Sequence, residues 1–226
     1  MPPPFVGVLI TRVFSWNRAI CIAALLATGA VRVSAQASEL WPEIDVYWQP
    51  AVHQRTFLEL SKASDRDGPS QQGTIGLYQD YLDLPLGYLR GGYRFTSSTH
   101  DASYRESRFV GEGVIAVASV ATMRLLSRSR LEFRTVNGEY SYRVRERLHL
   151  QRVPPTPTRF MLAPYVTAEV YYDSRYGVIS RLAGRVGSEA KLARNVGIDV
   201  YIARQNNLRD SPKYVQALGL VTKLSF

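Results

Sequence analysis

Proton transfer near neutral pH falls most naturally to histidine, and the chain has three, His53, His100 and His149. A nucleophilic hydrolase needs one of them within hydrogen-bond reach of a serine and an acid. The stretch "THDAS" supplies His100, Asp101 and Ser103 together, among small polar residues that read as a flexible loop. His53 falls in a turn beside "QR". His149 falls on an arginine-bearing strand face, where it reads as a filler and not a base. Metal chemistry has no better footing. His, Asp and Glu do not cluster at ligand spacing, and "SDRDG" has an Asp-x-Asp fragment without the rest of a calcium loop. No helix follows the glycines of "LRGGYR", so they are not a phosphate loop; they suit a bend or close packing within a strand. No catalytic residue, metal or cofactor is expected.

The elements that would position any site begin after an apparent address. Arg12 and Arg18 precede the apolar run "AICIAALLATGAV", and Val33, Ser34 and Ala35 offer small residues for cleavage. That order predicts a secretory signal peptide over 1–35, with the folded domain over 36–226. The single cysteine, Cys21, lies in this segment, so the remainder can form no disulfide or thiolate site. The formal charge of +9 suggests anionic partners. Its arginines are spread along strands and interleaved with glutamate, which argues against nucleic acid.

Beyond Ala35 the apolar period is two, in segments near 43–49, 54–62, 73–83, 88–96, 105–118, 122–135, 140–151, 160–173, 178–191, 196–206 and 213–226. Turn-forming clusters such as "TVNGE", "DSRYG", "DLPLG" and "NNLRDSP" divide them. The boundary between 118 and 122 carries no such punctuation. On the charged faces lie Arg128, Arg130, Glu132 and Arg134; Arg143, Arg145 and Arg147; and Arg181, Arg185 and Glu189. Opposite them stand Leu131, Phe133, Val144, Leu148, Val186 and their neighbours, broken once by Glu146.

A soluble barrel also alternates, but it would scatter its charge in water. Arginine and glutamate at alternate positions of adjacent strands suit a narrow lumen, where forked hydrogen bonds can pair them. Strands of nine or more residues suit a tilted bilayer crossing. Tyrosines near strand ends, among them Tyr93, Tyr142, Tyr165, Tyr172, Tyr176 and Tyr214, suit interfacial girdles. The expected fold is an all-β, antiparallel up-and-down transmembrane β-barrel of 10–12 strands. Its longer loops share one rim and "LARN", "VPPTPT" and "DLPLG" the other. Eleven segments conflict with an even strand count, so 43–49 either lies outside a ten-stranded barrel or belongs to one of twelve strands.

Leu218, Leu220, Leu224 and Phe226 share the apolar face of the last segment. This ending resembles the C-terminal signal by which outer-membrane proteins are recognised for assembly. "SELWPEIDVYWQP", "LRGGYRF", "SRLEFR", "YRVRERLHLQ" and "PYVTAEVYYD", with the terminal Phe, together resemble the outer-membrane barrel family designated domain of unknown function 2490. The resemblance covers 39–226 and implies a barrel fold, while supplying no activity to carry over.

The expected function is therefore a small bacterial outer-membrane barrel without enzymatic activity. It would have a structural or interaction role, or form a narrow, weakly anion-preferring pore lined by the arginines and glutamates above. Its expected partners are outer-membrane lipid, lipopolysaccharide and the barrel-assembly machinery. Two rivals stand beside it. One is an outer-membrane acyl hydrolase or transferase acting on lipid, which needs a Ser–His pair on the lipid side. The other is a soluble periplasmic barrel binding an apolar ligand, which needs the Leu, Val and Ile faces inside.

Overall fold

The computed structural model describes residues 37–65, 71–99, 104–153 and 161–226. The expected signal peptide, His100 and most of "VPPTPT" lie outside the described residues. Eleven strands follow one another: β1 (Ala37–Ala51), β2 (Gln54–Asp65), β3 (Gln71–Leu84), β4 (Gly87–Ser98), β5 (Arg105–Val120) and β6 (Met123–Val136). Then come β7 (Glu139–Arg152), β8 (Met161–Asp173), β9 (Val178–Ala193), β10 (Val196–Asn207) and β11 (Tyr214–Ser225). Each pairs with its chain neighbours, and β1 joins β11 to close a barrel.

The closure corrects the expectation of an even count. Strands of alternating direction return to the starting direction at every odd member, so the first and eleventh must run the same way. They pair in parallel from Ala37 opposite Val215 to Tyr47 opposite Ser225, while every other pair is antiparallel. Residues 43–49 are neither outside the barrel nor evidence of a missing strand; they are the middle of β1.

Connections of two residues join β1 to β2, β3 to β4, β5 to β6 and β9 to β10, all at one rim. At the opposite rim, β8–β9 and β10–β11 are joined by the longer segments 174–177 and 208–213. Asn137 and Gly138 adopt φ of 50° and 94°, the mirror-image turn that suits a two-residue hairpin. The unpunctuated boundary turns at Ala121, with φ of 51°. An alanine in the left-handed region explains why no Gly, Asn or Pro marked the place.

The side-chain distribution is inverted relative to a water-soluble barrel. Phe109 is 65% exposed, Val186 65% and Ile202 67%, and Leu40, Ile75, Leu131, Leu148 and Leu218 also face outward. Asp80, Glu132 and Asp173 are fully enclosed, with Glu106 nearly so.

Two arrangements hold aromatic rings flat against the inner wall. Tyr47, Phe57 and Tyr78 stand directly opposite on β1, β2 and β3 and stack with centroids 4.8 and 5.2 Å apart. The next position in that row is Gly92, where a Cβ would lie 2.4 Å from the Tyr78 ring. Across the barrel the row Tyr165, Gly187, Tyr201, Gly219, Trp41 alternates ring and glycine from β8 through β11 to β1. A Cβ on Gly219 would lie 2.0 Å from Tyr201 Cζ, so glycine is what lets the ring lie down there.

Candidate functional site

The interior is organised by β-sheet register. Directly opposite one another on β2 to β6 stand Arg55, Asp80, Arg90, Glu112 and Arg130, a row in which sign alternates at every step. Arg55 Nη2 donates to Asp80 at 2.6 Å, and Arg90 takes both oxygens of the same carboxylate. Arg130 Nε and Arg128 Nε meet Glu112 at 2.5 and 2.8 Å. The row continues through Arg145, Tyr171, Arg181 and Asn207 on β7 to β10. There Arg145 and Arg181 lie over the Tyr171 ring at 4.8 and 5.4 Å, and Arg181 donates to Asn207 at 2.9 Å.

Neighbouring rows tie into this one. Glu132 is surrounded by Arg108, Arg130, Arg143 and Arg145 at 3.4 to 4.0 Å. Asp173 accepts from Arg134 at 2.8 Å and Arg143 at 2.9 Å. Glu169 accepts from Arg145 at 2.5 Å and Arg147 at 2.7 Å. Glu106 is held by Tyr104, Arg108 and Arg134. Burying an ion costs several kcal/mol unless a partner offsets it, so sharing these carboxylates among two or more guanidinia is what makes this charged part of the interior possible. At the long-loop rim, Arg175 caps Asp173, and those hydrogen bonds raise its guanidinium above the ordinary value. Beside it Tyr176 donates to Asp210, which raises the Tyr176 hydroxyl and ties the β8–β9 turn to the β10–β11 loop.

Charge is not spread evenly around the wall. Arginines outnumber carboxylates from β2 to the first half of β9. Near the seam the inward groups are instead Glu39, Glu43 and Asp45 of β1, Glu189 of β9 and Asp199 of β10, with Lys223 among them. Lys223 donates to Glu189 at 2.7 Å, and Tyr165 donates to Asp199 at 2.9 Å. Between the two walls lies a cavity of about 590 Å³, lined in part by Arg128, Arg147, Arg185, Tyr201, Asp45 and Thr167.

Of the residues singled out in the sequence, Arg128, Arg130, Arg143, Arg145, Arg147, Arg181, Arg185 and Glu189 line this cavity. Glu132 and Arg134 are buried in the lattice beside it. Leu218 and Leu220 face outward, Leu224 is half-buried and Phe226 is exposed. Tyr165 departs from the girdle expectation. It is 7% exposed and points inward, where His149 stacks on it at 4.9 Å. Tyr142, Tyr176 and Tyr214 are exposed near the long-loop rim, whereas Tyr93 is exposed midway along β4, away from either rim.

Sequence reasoning missed Arg55, Asp80, Arg90 and Glu112, which complete the sign-alternating row. Their signal was single charges at period-two positions in strands otherwise rich in Leu, Gly and Tyr. The Tyr–Gly row was visible only after strand pairing.

His53 lies 3.3 Å from Asp83 in an exposed turn region, and His149 is inside. The outward carboxylate Glu146 accepts from Ser127 and Ser129, each at 2.5 Å, with His149 on the opposite face of β7. The interior is lined by arginines, carboxylates and tyrosines, so the Leu, Val and Ile faces do not form the apolar cavity that the periplasmic ligand-binding reading required.

The sequence model of a family described as "Protein of unknown function (DUF2490)" matches residues 45–216, which takes in the charged rows. No curated protein matches the chain.

Proposed function

The chain belongs to the DUF2490 family, and from that premise we propose that it is a small bacterial outer-membrane β-barrel without enzymatic activity. The observation that carries this reading is the inversion: a closed barrel with Leu, Ile, Val and Phe outside and an Arg–Asp/Glu lattice inside. Water would reward the opposite arrangement, whereas a hydrocarbon surround favours an apolar outer band and strands with no open edge. Strands of 12 to 16 residues are long enough for a tilted crossing, which needs about 9–11. The partners are outer-membrane lipid, lipopolysaccharide at the long-loop rim and the barrel-assembly machinery, with no nucleic acid. The role is structural or interactive. Any passage is narrow and weakly anion-preferring, since ion-paired side chains cross the lumen.

Heat-modifiability tests this directly. The full chain is expressed in a Gram-negative host, and the outer-membrane fraction is compared boiled and unboiled on an SDS gel. A mobility shift on boiling is expected. Recovery in the soluble periplasm with no shift would overturn the membrane reading, and cation-selective conductance in a planar bilayer would remove the anion-preferring passage.

A further inference from the structure

We propose that the interior cavity is a binding site for a small zwitterion, with its carboxylate or other anionic end at Arg185 and its ammonium end at Asp45. The inference concerns the interior alone and goes beyond the membrane placement.

At the anionic end, Arg185 lies over the Tyr201 ring at 4.9 Å and the Trp41 ring at 6.0 Å. Among the described residues no carboxylate comes within 4 Å of it, although Arg147 and Arg128, which line the same cavity, each have one. Aromatic faces attract a guanidinium without using its forked N–H donors, so those donors stay available for an anion. Thr167 stands directly opposite Arg185 on β8 and is 3% exposed, and its Oγ1 has no hydrogen-bond partner.

At the cationic end, Asp45 is 5% exposed, and among the described residues no N–H or hydroxyl donates to its Oδ1. Tyr47 donates to Oδ2 at 3.2 Å, and Glu43 stands two residues away on the same inward face. Lys223 is the register partner of Asp45, yet its ammonium is given to Glu189. Glu43 and Asp45 stand within hydrogen-bond reach of each other, and with the nearest lysine engaged elsewhere an ammonium can take the place of the proton such a pair shares.

Asp45, Thr167 and Arg185 all line the 590 Å³ cavity, whose size falls in the range of small-molecule sites, about 300–1,000 Å³. The arginine-rich wall and the acidic seam wall together orient a dipolar solute, attracting its opposite ends to opposite sides.

The test uses the full chain folded in detergent, with folding scored by heat-modifiability so that the membrane reading is judged separately. Thermal unfolding is followed with glycine, 4-aminobutanoate and 6-aminohexanoate as probes. Each is compared with an equal concentration of butanoate plus butylammonium. At least one zwitterion should raise the melting temperature beyond the mixture. Arg185→Gln should weaken that probe's binding about tenfold or more, the cost of leaving a buried charge unmatched. If that variant fails to fold, Thr167→Val and Asp45→Asn take its place, and each should remove the excess. Equal shifts from zwitterion and mixture would overturn the two-ended site, as would shifts matched by sodium chloride at the same ionic strength.

Discussion

Asp80 and Arg90 stand directly opposite on β3 and β4, with Arg90 Nε 2.6 Å from Oδ1 and Nη2 3.0 Å from Oδ2. Arg55 holds the same carboxylate from β2, and Asp80 has no exposed surface. Asp80→Asn leaves two guanidinia short of a counter-charge and should destabilise the barrel by about 3–5 kcal/mol. Because apolar replacement of a whole buried ionic group is often neutral, Arg55→Met/Asp80→Leu/Arg90→Met should recover most of that loss. Urea unfolding in detergent or lipid measures both.

Gly91 and Gly92 are neighbours with opposite requirements. A Cβ on Gly91 meets nothing within 4 Å, whereas one on Gly92 would lie 2.4 Å from the Tyr78 ring and 2.5 Å from the Leu77 carbonyl oxygen. Gly92→Ala should cost about 1–3 kcal/mol by overpacking. Gly91→Ala should be neutral or mildly stabilising. Equal melting temperatures for the two variants would contradict this account of the Tyr78 ring.

Ala121 turns the β5–β6 hairpin at a positive φ. Ala121→Gly relieves a left-handed alanine that costs about 1–2 kcal/mol, part of which returns as added freedom in the unfolded chain. A gain in stability of roughly 0.5–1 kcal/mol is expected from those two contributions. The readout is the unfolding midpoint.

Glu146 is the carboxylate on the outer face of β7, held by Ser127 and Ser129 of β6. In a lipid surround, Glu146→Leu with both serines changed to alanine should raise the melting temperature, because a charged side chain on that face is disfavoured. Hydrolase activity lost in this triple variant would point instead to the acyl-transfer rival.

Much of this architecture was legible in the sequence because a barrel wall with unlike faces imposes strict period two. Arg143, Arg145 and Arg147 could not share a face in any helix, and "TVNGE" named its own hairpin. The strand parity was not legible, since the direction of β1 depends on pairing with residues near the other end of the chain. Tyr165 was misread for a related reason: a tyrosine near a strand end suits an interface equally well, and only Gly187 beside it on β9 reveals the inward slot. The lattice was half legible. Dense arginine strands announce themselves, while Asp80 and Glu112 draw their meaning from what register puts opposite them.

The parallel seam has a kinetic meaning. Ten of the eleven strand pairs join consecutive strands and can form locally, but the β1–β11 pair brings together segments separated by almost the whole barrel sequence. Until β11 arrives, the sheet has two unpaired edges, each a template for wrong partners. Closing so long a loop is the slow step that topology predicts. At the end of the seam the Phe226 amide donates to the Tyr47 carbonyl at 2.9 Å and the Phe226 carbonyl accepts from the Gln49 amide at 3.3 Å. Maturation of this barrel is therefore gated by its last strand. Trapped intermediates should be open sheets in which the consecutive strand pairs are already protected from hydrogen exchange while the seam-facing amides of β1 still exchange freely.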